Sequence, residues 1–172
     1  MKNKKLSNLF AYASLVFGAL WLGAYFTRLI LTYNLFKEGE LVLKHFIHNT
    51  NITGIFQAFE PLYYITFITY LIFIICYTLF LISAKLSFKQ NGWLFITSII
   101  IYFTLPFEVI LMSIDYKIIV LHLAGNFNSE ETLTLIVERL EILGGFSVIL
   151  ILCYLTIPYF LIFRPFSIKE DK

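Results

Sequence analysis

Two ionisable residues stand where ionisable residues are expensive. Arg28 lies in the run "LFAYASLVFGALWLGAYFTRLILTY", and Glu108 lies in "YFTLPFEVILMSIDY", two residues after Pro106. Both runs are otherwise apolar enough to sit in lipid. An ionised side chain at membrane depth is costly and normally faces the protein interior with a partner. Glu108 lies about 22 Å along its run from Trp93, and Arg28 about 27 Å along its run from Phe10, at 1.5 Å per helical residue. The two runs cross in the same direction, so the two residues are expected in the same leaflet, and as a pair. Pro106 removes a backbone N–H and crowds the Tyr102 carbonyl. A kink there frees backbone groups that need water or hydroxyl partners, and Thr104 is close in sequence. Two blander readings compete. The pair could only fix helix register, or Arg28 could snorkel to headgroups beside a protonated Glu108.

Further carboxylates gather near the same ends of the runs: Glu60, Asp115, Glu138 and Glu141. With Arg28 and Glu108 they form the candidate polar cluster. His45, His48 and His122 also fall in that region. Carboxylates with histidines can bind a divalent metal, but the spacing here matches no metal motif, and no metal is assigned. No Gly-rich phosphate loop, nucleophile elbow or HExxH is present. The reading therefore leans away from an enzyme, and the sequence names no cofactor. Cys76 and Cys153 lie in apolar runs without CxxC spacing, where thiols behave as small hydrophobes.

The elements that would position these residues follow from composition and run length. Hydrophobic residues make up 59% of the 172-residue chain, against 14% charged, with a mean hydropathy of +0.82. A soluble domain carries about 25% charged residues, and a chain this short cannot hide so much apolar surface in its own interior. A bilayer-spanning helix needs about 20 mostly apolar residues. Four stretches qualify, about 9–33, 61–83, 93–114 and 142–163. Their continuity argues against spanning β-strands, which alternate. The expectation is a single all-α membrane domain, an integral membrane four-helix bundle. Segments 34–60 and 115–141 would face outward, and an inner hairpin would occupy 84–92. The first run is too long for a cleaved signal's apolar core and reads as a retained anchor.

Lysines and arginines in the short flanks set orientation. Eight (Lys2, Lys4, Lys5, Lys85, Lys89, Arg164, Lys169, Lys172) fall on the side of the termini, and four (Lys37, Lys44, Lys117, Arg139) on the other. Both termini are expected to be cytoplasmic, in a cell or inner membrane. Glu60-Pro61 would open the second span, with proline in the first turn. Asn128 followed by Glu131 resembles a capping box, starting a helix near Ser129. That helix would continue past Gly144-Gly145 into the fourth span, projecting, tilting or bending there. Segment 34–60 suits either a short interfacial helix or a packed loop. Asn51-Ile52-Thr53 is a glycosylation tripeptide.

Each span also has a wetter stripe, expected to face the bundle interior. The first carries Ser7, Ser14, Trp21 and Arg28 every seven residues, with Gly18, Tyr25 and Thr32. The second carries Tyr63, Thr66, Tyr70 and Tyr77, and the third Thr97, Thr104, Glu108 and Asp115. The fourth carries Glu138, Glu141, Gly145 and Thr156. Ala19 and Gly23 are spaced for close helix approach.

Three functions are compatible with these features. The leading expectation is a non-catalytic accessory subunit, held in the bilayer and associating with other membrane proteins or with itself. The alternative is a small transporter or channel-like protein built on Arg28 and Glu108. The third is a lipid-modifying enzyme using Glu108 as acid or base and Arg28 to hold a phosphate or carboxylate. The net charge of +2 is too small to imply nucleic acid.

Overall fold

The computed structural model describes residues 2–48, 50–124 and 128–167. Among the described residues the chain forms five α-helices: α1 (Lys2–Asn34), α2 (Ile52–Ala84), α3 (Gly92–Leu123), α4 (Ser129–Leu143) and α5 (Phe146–Phe163). Four of them, α1, α2, α3 and α5, are long and apolar enough to cross a membrane. At 33 residues, α1 extends about 50 Å, well beyond a hydrocarbon core of about 30 Å.

Helices α1 and α2 pack along each other, while α5 rests mainly on α3 and touches α1 only lightly. One end of the bundle holds the α2–α3 hairpin, where Gly92 N donates to Phe166 O at 3.2 Å. It is called the hairpin end below, and the opposite one the α4 end. Two apolar clusters fill the interior. Trp21, Tyr70, Phe73 and Tyr154 belong to the one in mid-bundle, and Trp21 contacts the other three rings at 4.7–6.2 Å. Phe56, Ile114, Ile118 and Ile136 belong to the other, at the α4 end.

Three of the four polar stripes turn inward. Ser7, Ser14, Trp21, Tyr25, Arg28 and Thr32 on α1 are buried, as are Tyr63, Thr66, Tyr70 and Tyr77 on α2, and Thr97, Thr104, Glu108 and Asp115 on α3. Many of the hydroxyls are satisfied within their own helix, as in Thr97 Oγ1 to Trp93 O at 2.9 Å and Thr104 Oγ1 to Ile100 O at 2.8 Å. Such back-bonding lets a polar side chain lie on a buried helix face. The fourth stripe does not turn in. Glu141 and Thr156 are exposed and Glu138 is half-buried.

That departure has a backbone cause. The expected continuous helix from Ser129 onward is broken at Gly144, with φ of +47° and ψ of −126°. Such a conformation is open to glycine and strained for other residues. The phase before the break therefore does not carry into α5. Asn128 does cap α4, its side-chain oxygen accepting from Glu130 N at 3.0 Å. Two further boundaries differ. Helix α2 begins at Ile52, so Pro61 lies inside it rather than in its first turn. The segment before α2 is a loop closed by the Phe36–Leu43 bridge and not an interfacial helix. Asn51 belongs to that loop: its Nδ2, the atom a glycan would take, donates to Phe46 O at 2.8 Å. Helix α3 runs on to Leu123 and includes Pro106 and Asp115 without a break.

Candidate functional site

Asp115 is the centre of a buried ionic cluster. It projects from the inner face of α3, only 2% exposed. Its Oδ2 accepts from Arg28 Nη1 of α1 at 2.7 Å, and its Oδ1 accepts from Arg139 Nε of α4 at 2.8 Å. One carboxylate thus joins three helices. Short charge-assisted hydrogen bonds of this kind are about twice as strong as neutral ones. Aromatic rings supply the rest of the shell. Arg28 lies over Tyr63 at 5.1 Å and over Tyr25 at 5.6 Å, and Arg139 lies over Tyr25 at 5.5 Å. Burial alone would lower the Arg139 pKa. The Asp115 carboxylate, helped by Tyr25, Glu108 and Tyr63, outweighs burial and raises it above the ordinary arginine value. Arg139 is therefore cationic at every accessible pH.

Glu108 lies on the same face of α3, two turns from Asp115, about 10 Å along the axis. It is 2% exposed, and its Oε1 has no hydrogen-bond partner. Arg139, Arg28 and Asp115 are its charged neighbours. Arg139 Nη2 is likewise buried and without a partner. The Tyr25 and Tyr70 hydroxyls make no close hydrogen bond, although Ser147 and Tyr154 stand beside them. Thr104 Oγ1 and the Tyr154 hydroxyl are 3.0 Å apart. A free acceptor, a free guanidinium donor and several hydroxyls therefore converge between the ionic cluster and the Trp21 rings.

Charge balance gives this arrangement its chemistry. Two guanidinium groups and one Asp115 carboxylate leave one positive charge in excess. An ionised Glu108 makes the cluster neutral, and a protonated Glu108 leaves it cationic. Isolated charge in a low-dielectric interior costs several kcal/mol per ion, by rough estimate. The net charge of the cluster therefore depends on the protonation of Glu108.

The residues picked out by sequence divide into two groups. Arg28, Glu108 and Asp115 come together. Glu60 and Glu138 are half-buried and Glu141 is exposed, and none of the three bonds to the cluster. The Arg28 hydrogen bond goes to Asp115 and not to Glu108, because Asp115 lies inside α3 rather than in a loop beyond it. Arg139 was absent from the candidate set. Its signal was its phase: Thr132, Leu135, Ile136, Arg139 and Leu140 recur at three- and four-residue spacing and form the buried face of α4. His45 and His48 are exposed in the loop before α2, and among the described residues no cluster of His, Cys, Asp and Glu could hold a metal ion. Comparison with protein-family models, with curated proteins and with solved structures finds no match to this chain.

Proposed function

We propose that this chain is a small transporter-like membrane protein whose working site is the Arg28–Asp115–Arg139 cluster together with Glu108. The carrying observation is the unpartnered Glu108 Oε1, buried beside a cluster with one excess positive charge. A purely structural ion network gains most when every member is satisfied, and a partly satisfied one is worse than an apolar core. The free Glu108 oxygen and the free Arg139 Nη2 instead leave room for a transient third partner. With Glu108 ionised the site is neutral and empty. With Glu108 protonated, a small anion at Arg139 Nη2 restores neutrality. Proton and anion would then enter and leave together. The lysine and arginine distribution supports cytoplasmic termini, with the α4 end on the opposite face of a cell or inner membrane.

Reconstitution in liposomes with an entrapped pH-sensitive dye tests this reading. An inward gradient of a small anion such as chloride, nitrate or formate should drive proton entry for at least one of them. Glu108→Gln, which fixes the uncharged form, should abolish that proton entry. Normal proton entry in the variant would remove the proposal.

A second reading, the accessory subunit, is supported by the outer face of α1. Gly23 is exposed there, and nothing lies within 4 Å of where its Cβ would be. Small residues on a lipid-facing helix allow close approach of a partner helix. Purification from native membranes in mild detergent should then recover a second protein at fixed stoichiometry. A monomer obtained alone, with the same yield for Gly23→Leu, would exclude it.

A further inference from the structure

A cavity of about 850 Å³ opens at the hairpin end, across the Trp21 rings from the ionic cluster. It exists because α1 follows α2 and leaves a gap towards α5. Its deep walls are apolar, from Leu22, Phe73 and Ile101, and the Trp21 rings separate it from Glu108. Its mouth is cationic. Lys4 of α1, Lys85 at the end of α2 and Arg164 at the end of α5 all line it, and none of its described lining residues is acidic. Arg164 is held in place over the Trp93 ring at 5.6 Å. Ser7, Ser14 and Thr97, all buried, add hydroxyls along the wall.

The dimensions fit an amphiphile. Along α1 the lining runs from Lys4 to Leu22, about 27 Å at 1.5 Å per residue. One leaflet of hydrocarbon is about 15 Å deep, half of a core of roughly 30 Å. The remainder matches a headgroup at the level of the three cations. The volume falls in the usual range for ligand sites, about 300–1,000 Å³. We propose that this cavity binds one anionic phospholipid, one of its two acyl chains between α1 and α5 and its phosphate among Lys4, Lys85 and Arg164. Charge complementarity selects this occupant: a zwitterionic lipid would bring its own cation into a mouth that already has three. The site would tie the fold to an anionic leaflet.

Native mass spectrometry of the full chain, released from detergent after exposure to phosphatidylglycerol or phosphatidylcholine, tests the assignment. Each basic residue near an anionic headgroup favours it by about fivefold. The wild type should therefore retain one phosphatidylglycerol with a preference of order a hundredfold. Lys4→Gln, Lys85→Gln and Arg164→Gln combined should remove the preference while the chain stays folded. Ala11→Trp, at a lining position, should reduce retention of both lipids. Equal retention of the two lipids by the wild type would overturn the proposal. So would a triple variant that keeps the preference, wild-type retention by Ala11→Trp, or displacement of the lipid by inorganic phosphate.

Discussion

Replacing Asp115 by Asn should destabilise the protein more than any other single substitution in the cluster. Asp115 accepts one hydrogen bond from each of two guanidinium groups, at 2.7 and 2.8 Å. Hydrogen bonds to charged groups contribute about 1.5–3 kcal/mol each, so two give roughly 3–6 kcal/mol by the same scale. Breaking a buried ion pair costs about 3–5 kcal/mol, because the surviving charge is stranded. Neutral interhelical hydrogen bonds in membranes average only about 0.6 kcal/mol, since the separated helices find other partners. A stranded guanidinium is different: an arginine at the bilayer centre costs about 2.5–3.5 kcal/mol even on the mildest scale. The expected loss for Asp115→Asn is thus about 3–5 kcal/mol. Unfolding in mixed micelles, followed by fluorescence of Trp21 and Trp93, measures it. The cycle with Arg139→Gln isolates one arm and should give a coupling of about 1.5–3 kcal/mol. A loss under about 1 kcal/mol, the level of an ordinary exposed pair, with no coupling to Arg139, would mean that Asp115 does not hold the two guanidinium groups.

Two other substitutions separate backbone effects from charge effects. Gly144→Ala should cost about 1–3 kcal/mol through backbone strain alone, because nothing lies within 4 Å of the added Cβ. Thermal unfolding would show this, and an unchanged midpoint would mean that the turn before α5 is not held at φ +47°. Glu108→Gln, in contrast, loses no hydrogen bond at Oε1 and leaves one excess positive charge where Asp115→Asn leaves two guanidinium groups without their shared acceptor, so it should cost less than Asp115→Asn. A large loss in that variant would show Glu108 to be a structural ion partner instead.

The four helices long and apolar enough to cross a bilayer were legible because run length and continuity are physical requirements of a bilayer, independent of detail. Burial of Arg28, Glu108 and Asp115 was legible from seven-residue spacing on single helices. What escaped the sequence was pairing between helices. Arg28 meets Asp115 rather than Glu108 because α3 continues to Leu123, and helix boundaries are the least legible part of a sequence. Arg139 was counted only as a flank charge. Its helix is short and mixed in composition, so its apolar phase competes with the charged face of Glu130, Glu131 and Glu141. Glu141 lies beyond that face's contacts and is exposed. The hairpin-end cavity had no sequence signal at all, because it arises from the splay of α1 away from α5.

In the proposed function one proton on Glu108 sets the charge of the site and an anion follows it. Proton uptake by the purified protein in weakly buffered detergent, on addition of the anion that drives flux, measures this directly. About one proton should be taken up per bound anion, as neutrality requires, and none in Glu108→Gln. Anion binding with no proton uptake in the wild type, or with the same uptake in the variant, would contradict it.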